Sequence, residues 1–205
     1  MNWQLNNIKY PVYNLGEGKR IGIWIQGCTL GCKGCINKTL WSNSGGKTLQ
    51  VLDIYNLIID LSDGYHGITI SGGEPFEQYE QLITFLHLIK KNTTLDVFCF
   101  TGYDLNELDN LYPDQLFYQY IDTLMTGRYE ENKHSNDNKR GSNNQKLYRF
   151  INDKPVETDI EENDKSWGLY VGLDGQIQMT GIPKKGEIEQ IEKDLEKVNI
   201  KKKFV

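Results

Sequence analysis

With 205 residues, 38% of them hydrophobic and 25% charged, the chain is long enough to close one real hydrophobic core, and a single domain over 1–205 is expected. A formal net charge of −5 argues against nucleic acid as a partner, and the one basic cluster, Lys201 to Lys203, is too short to change that. No apolar run approaches the roughly 18 residues of a membrane span, and MNWQLNNIKY lacks the basic and apolar regions of a signal peptide, so a soluble, cytoplasmic protein with no membrane partner is expected.

Residues 1–19 carry scattered apolar positions and end in the glycine-flanked turn Leu15-Gly16-Glu17-Gly18-Lys19, a lead-in placed to fold over a site. A first strand is expected over about Arg20 to Gln26, followed by a cysteine loop and a polar connection from Ser42 to Lys47. Thr48 stands where a helix N-cap belongs, before Leu49, Leu52, Tyr55 and Ile58-Ile59 at helical spacing. Gly67 to Ser71 reads as a buried strand running into Gly72-Gly73-Glu74-Pro75, and Tyr79, Leu82, Ile83, Leu86 and Ile89 predict a helix beyond it. A third strand over Leu95 to Phe100 ends at Thr101-Gly102-Tyr103, and Asp104 with Glu107 has capping-box spacing before a short helix. Ile121 to Met125 predicts a fourth strand. The alternation favours an α/β fold with a mostly parallel sheet.

From Glu131 to Lys146 no apolar side chain occurs, which predicts a long polar loop over 130–146. Leu147 to Ile151 returns as a strand, and Asn152 to Ser166 reads as a second polar, largely acidic loop. Leu169 to Leu173 and Gln176 to Met179 flank Asp174-Gly175 as a hairpin with a two-residue turn. An amphipathic helix over 186–200 closes the chain, with Ile188, Ile191, Leu195 and Val198 on one face.

The chemistry concentrates in Ile21 to Trp41, where Cys28, Cys32 and Cys35 form a C-x3-C-x2-C loop behind an apolar run. Three thiolates so close together can wrap one inorganic centre yet leave a coordination position open. A four-iron cluster normally takes four cysteines, and an open position marks a catalytic centre rather than a structural one. The alternatives are a zinc knuckle or a regulatory thiol cluster, but neither His66 nor His87 offers a fourth zinc ligand at suitable spacing. Cys99, between Phe98 and Phe100, suits a buried inert role. The histidines, His66, His87 and His134, carry no catalytic signal of their own. Ser71-Gly72-Gly73-Glu74-Pro75 adds a second element: two glycines at the end of a parallel strand let a ligand approach the backbone, with Glu74 facing an ammonium. Gly102 and Gly127, at the ends of later strands, fall on the same expected edge.

The cysteine loop together with the GGEP turn resembles the radical SAM enzymes, and the resemblance implies a partial (βα) barrel with an open edge. It also implies a [4Fe-4S] cluster on Cys28, Cys32 and Cys35, with S-adenosylmethionine (SAM) on the fourth iron and its amino group at Gly73 and Glu74. The cofactor then does the hard chemistry, a reductive cleavage to a 5'-deoxyadenosyl radical, and the protein positions it. Within that family the likeness is to the activases of anaerobic (class III) ribonucleotide reductases. Leu15 to Arg20 is similar to the group's D-G-P-G-x-R with Glu17 in place of proline, and Gly27 to Asn37 to its cluster loop. Thr101-Gly102-Tyr103 resembles T-G-Y, Asp122 to Tyr129 resembles D-x-L-x-D-G-P-F with Thr126 and Arg128 departing, and Arg140 to Gln145 resembles R-G-S-x-N-Q.

The SAM-binding set implied by these matches is Gly34, Ser71, Gly72, Gly73, Glu74, Thr101, Gly102, Asp122, Gly127 and Asn144. The implied partners are a glycyl-radical enzyme, which loses a glycine hydrogen, and an electron donor of the flavodoxin or ferredoxin type. The 131–146 loop is placed to receive the former. The chain has neither spare length nor spare cysteines for a small-substrate domain or auxiliary clusters. The rival readings are a radical SAM enzyme acting directly on a peptide or small molecule, and a non-enzymatic iron-sulfur module.

Overall fold

The computed structural model describes residues 1–135, 140–159, 167–171, 177–184 and 186–197. Its frame is an eight-stranded sheet in the order β3-β1-β2-β4-β5-β6-β7-β8, built from β1 (Asn2–Val12), β2 (Arg20–Ile25), β3 (Lys47–Gln50), β4 (Gly67–Gly72), β5 (Asp96–Phe100), β6 (Thr123–Thr126), β7 (Lys146–Ile151) and β8 (Lys154–Thr158). The four central strands β2, β4, β5 and β6 are parallel. Both margins turn antiparallel, β1 and β3 on one side and β7 and β8 on the other. The sheet is open, with β3 and β8 as its edges among the described residues.

The parallel strands are buried because helices return over the sheet between them. In β2 and β4, Ile21, Ile23, Ile25, Ile68 and Ile70 are all fully buried. Helix α1 (Val51–Leu61) contributes Val51, Ile54 and Ile58, three residues on one helical stripe, and α2 (Tyr79–Asn92) contributes Leu82, Phe85, Leu86 and Ile89. Trp3 of β1 meets Phe85 at 5.2 Å between ring centroids. The short helices α3 (Leu105–Leu111) and α4 (Phe117–Tyr120) connect β5 to β6. At α3 the expected capping box is present, with Asp104 accepting from the Glu107 N–H and Glu107 accepting from the Asp104 N–H.

Several expectations are corrected. Residues 2–12 form strand β1, whose Trp3, Leu5 and Val12 are core residues. Its alternation is broken by a register shift between Leu5 and Asn7, which hides the strand period in the sequence. Thr48 lies in β3 and accepts a hydrogen bond from Gln4 rather than capping α1, which begins behind Gln50. The lead-in does not cover the ligand edge. Arg20, fully buried, donates to Thr69, to the Ile68 carbonyl and to Asp96, and Thr69 donates to the Leu15 carbonyl. The motif containing Glu17 is thereby fixed at the opposite, N-terminal end of the parallel strands.

The second polar loop contains β8. Asn152 and Asp153, both at positive φ (51° and 58°), make a two-residue turn that returns the chain antiparallel to β7. The C-terminal hairpin exists as β9 (Trp167–Val171) and β10 (Ile177–Gly181), pairing Val171 with Ile177. A two-residue turn at Asp174-Gly175 would pair Val171 with Gln178 instead, so the register differs by one; the turn itself lies outside the described residues. Helix α5 spans Glu187–Lys197, and Lys201 to Lys203 also lie outside them. No helix among the described residues is long and apolar enough to cross a membrane.

Candidate iron-sulfur and cofactor site

The C-terminal ends of the four parallel strands carry the candidate site, as the crevice rule for open α/β sheets leads one to expect. Gly27 and Cys28 follow β2, Gly72 to Glu74 close β4, Thr101 and Gly102 follow β5, and Gly127 follows β6. Hydrogen bonds stitch these ends together. The Gly73 N–H donates to the Ile25 carbonyl and the Glu74 N–H to the Gly27 carbonyl, both at 2.8 Å. The Thr101 N–H donates to Met125 O and the Gly127 N–H to Tyr103 O, both at 2.9 Å. A Cβ on Gly73 would stand 2.1 Å from the Gly27 carbonyl oxygen, and one on Gly72 2.7 Å from the Ile25 N and O. Gly72 is therefore required first by the end of β2, and Gly73 by the start of the cysteine loop.

That loop is tied at both ends. Gln26, fully buried although polar, donates to the Ser42 carbonyl at 2.5 Å, and the Gly27 and Cys28 N–H groups donate to Leu40 and Trp41. Leu30 packs against Gly102, where a Cβ would lie 2.4 Å from its Cδ1. Gly34, at φ 77°, leaves room for Tyr129 and Glu131, and Lys33 pairs with Glu131 at 3.1 Å. Cys28, Cys32 and Cys35 are free thiols, each partly exposed, while Cys99 is wholly buried below them in β5. Burial pushes the Cys28 thiol up to about 11, with Glu74 and Glu77 adding to the rise and the Leu30 N–H opposing it. The Cys32 thiol is also raised by burial, against the Tyr129 N–H. The Asn37 N–H donates to Cys35 Sγ at 3.4 Å.

Among the described residues no three His, Cys, Asp or Glu side chains already stand together as a formed metal site. The donor set nevertheless fits an iron-sulfur cluster. It offers three partly exposed sulfurs on one loop, and each already receives a backbone N–H of the kind that tunes cluster sulfurs.

Glu74 sits behind this loop with only 1% exposure. Its Oε1 accepts from the Phe76 N–H at 3.0 Å and the Thr101 hydroxyl at 2.8 Å, and its Oε2 accepts from the Gly102 N–H at 2.8 Å. Burial pushes the carboxyl up to about 7 against those three donors. A carboxylate has about four acceptor positions, so Glu74 spends most of its capacity joining the ends of β4 and β5.

The rest of the expected SAM set divides. Ser71 and Thr101 lie at this edge beside Glu74. Gly127 and Asn144 line a neighbouring polar cleft of about 450 Å³, together with Thr126, Arg128, Lys146 and Tyr148. Asp122 is displaced from both. It precedes β6 at the opposite end of the sheet, where its Oδ2 accepts from Lys90 at 2.6 Å and from the Val97 N–H at 2.7 Å. The Arg140 to Gln145 motif clamps the end of β6: Gln145 accepts from the Gly141 and Ser142 N–H groups and donates to Gly127 O, while Asn144 donates to Arg128 O. Of the departing residues, Arg128 donates to both carboxylate oxygens of Glu107 at 2.8 and 2.9 Å, and Thr126 is buried against the Lys146 carbonyl. Sequence reasoning missed Gln26, Glu77 and Gln78. The one available signal was a polar residue, Gln26, closing the apolar run IGIWI.

The family described as "4Fe-4S single cluster domain" matches residues 14–148. The anaerobic ribonucleoside-triphosphate reductase-activating protein of Haemophilus influenzae is 36% identical over 142 residues, covering 66% of this chain and 90% of that protein. The chain belongs to this family of activating proteins. A more partial relative is the pyruvate formate-lyase-activating enzyme of Listeria monocytogenes, 37% identical over 97 residues, which cover 42% of the chain and 38% of that enzyme. Among solved structures, QueE from Escherichia coli is similar over 50% of the chain and 53% of its own, with a TM-score of 0.43 at 21% identity. The family match takes in the cysteine loop, the GGEP turn, the ends of β5 and β6 and the Arg140 to Gln145 clamp.

Proposed function

We propose that this chain is a radical SAM activase that abstracts a hydrogen from a glycine of an anaerobic ribonucleotide reductase-like partner, leaving a glycyl radical. The observation that carries the reading is the docking of the cysteine loop onto the GGEP turn through the Gly73 and Glu74 N–H groups, within a chain of the activating-protein family. Cys28, Cys32 and Cys35 would hold a [4Fe-4S] cluster, with SAM bound beside it at the open coordination position. Bound there, the cluster and SAM supply a one-electron reductive cleavage of the sulfonium.

The protein's own residues orient and enclose. Gly73 and Glu74 present backbone and carboxylate at the cluster edge, Thr101 and Gly102 fix that carboxylate, and Leu30 and Gly102 keep the loop seated on β5. Ser71, Gly34, Gly127 and Asn144 complete the SAM-facing set, from which Asp122 is removed by its place at the other end of the sheet. The open sheet is read as a partial barrel of the radical SAM type within a single domain, working in the cytoplasm with a flavodoxin- or ferredoxin-type donor. Anaerobically reconstituted protein, reduced in the presence of SAM, is expected to release 5'-deoxyadenosine. No release on reduction would refute the radical SAM assignment.

A further inference from the structure

The 3-10 turn Pro75–Gln78 that follows Glu74 also reaches back to the cysteine loop. Glu77 places one carboxylate oxygen, Oε1, 2.8 Å from the Thr29 N–H and 2.6 Å from the Thr29 hydroxyl, across 48 positions of sequence. Thr29 is the residue after Cys28. Elsewhere the loop is held by backbone bonds at Gly27 and Cys28, including that from the Glu74 N–H, by the Gln26 side chain, by the Tyr129 N–H at Cys32, by Leu30 against Gly102, and by the exposed Lys33–Glu131 pair. Two donors converging on one anionic oxygen make a directional tie, stronger than a neutral hydrogen bond.

The charge has a second consequence. Around the loop, Arg128 is matched by Glu107 and Lys33 by Glu131, and Glu74 is buried among three donors. Glu77 has no salt-bridge partner among the described residues, so its charge stands uncompensated beside Cys28. A fixed negative charge disfavours adding an electron to a neighbouring centre.

We propose that Glu77 is a positioning residue of the cluster: its carboxylate clamps the Thr29 end of the cysteine loop, and its charge lowers the potential of a cluster held there, making the reduced cluster a stronger one-electron reductant. The second half rests on the radical SAM reading, whereas the clamp is a property of the protein without metal.

Two variants separate the halves. Glu77→Gln keeps the accepting oxygen and removes the charge; Glu77→Ala removes both. In the metal-free protein, hydrogen exchange of the Thr29 amide is expected to quicken at least tenfold in Glu77→Ala and by clearly less in Glu77→Gln, which keeps a neutral acceptor. In protein reconstituted with iron and sulfide, a dithionite titration followed by EPR is expected to give Glu77→Gln a more positive midpoint than wild type at equal iron content, and Glu77→Ala a lower iron content as well. Unchanged Thr29 exchange in Glu77→Ala overturns the clamp, and a wild-type midpoint in Glu77→Gln overturns the electrostatic role. A wild-type protein that takes up no [4Fe-4S] cluster overturns the radical SAM reading and the potential shift with it, while Thr29 exchange still decides the clamp.

Discussion

Glu74 shows how a residue can serve a ligand edge by being largely consumed by its own protein. Three donors meet its two oxygens, so Glu74→Gln must turn an amide NH2 towards at least one N–H or O–H. Leaving a buried donor unsatisfied costs about 1–3 kcal/mol, and urea unfolding of the variant at neutral pH should register a loss of that size. Burial pushes its carboxyl up to about 7 from an ordinary 4.5, so between those values the folded state binds more protons than the unfolded one. The contribution of this group to stability is therefore fully present below about pH 4.5 and lost as pH rises to about 7, by about 3 kcal/mol at 1.36 kcal/mol per unit. A stability-pH profile that flattens over this window in Glu74→Gln would bear that out; an unchanged slope would contradict it. Arg20 has the opposite address. Its guanidinium holds Asp96 at 2.6 Å and two buried oxygens at the base of the sheet. Arg20→Ala leaves the buried Ile68 carbonyl without its guanidinium donor and should cost about 1–3 kcal/mol, read by denaturant midpoint, with the Thr29 amide no faster in exchange once the variant is held under folding conditions.

At the scale of elements, the cysteine loop and the β4 turn behave as one unit. Gly73→Ala places a methyl group 2.1 Å from the Gly27 carbonyl oxygen, and the contact is backbone to backbone, so the loop must lift. Iron bound after reconstitution is expected to fall by more than half in that variant, and full iron content would show that the seam is not needed to seat the cluster. This unit was only half legible in the sequence. The cysteine spacing and the GGEP string were visible, because each is local. Their junction was not, since the residues that make it, Gln26, Glu77 and Gln78, are polar side chains whose partners lie 13 to 74 positions away. Apolar, β-prone runs likewise revealed β2, β4, β5 and β6, whereas the scattered apolar positions of β1 were obscured by its register shift, and composition alone hid β8, whose Lys154–Thr158 strand has one half-buried and one exposed apolar residue. The capping box at Asp104 and Glu107 was legible because both partners are three residues apart.

For the whole molecule, the parallel centre aligns four strand ends into one edge, and among the described residues no strand closes the sheet between its two antiparallel margins. This geometry separates the family motifs by role. The cysteines, the GGEP turn and Thr101-Gly102 share the cluster edge. The Arg140 to Gln145 motif braces the end of β6 beside the polar cleft, and the Leu15 to Arg20 motif anchors the base of the sheet. Replacement of a proline by Glu17 in the group's pattern thus falls at the far end of the parallel strands, whereas Arg128, paired with Glu107, lies beside Gly102 near the cysteine loop. The most direct measurement is EPR of an anaerobic ribonucleotide reductase after incubation with reconstituted protein, SAM and reductant. An organic radical on the reductase that requires both SAM and Cys28, Cys32 and Cys35 is expected. SAM cleavage to 5'-deoxyadenosine with no radical on the reductase would contradict it.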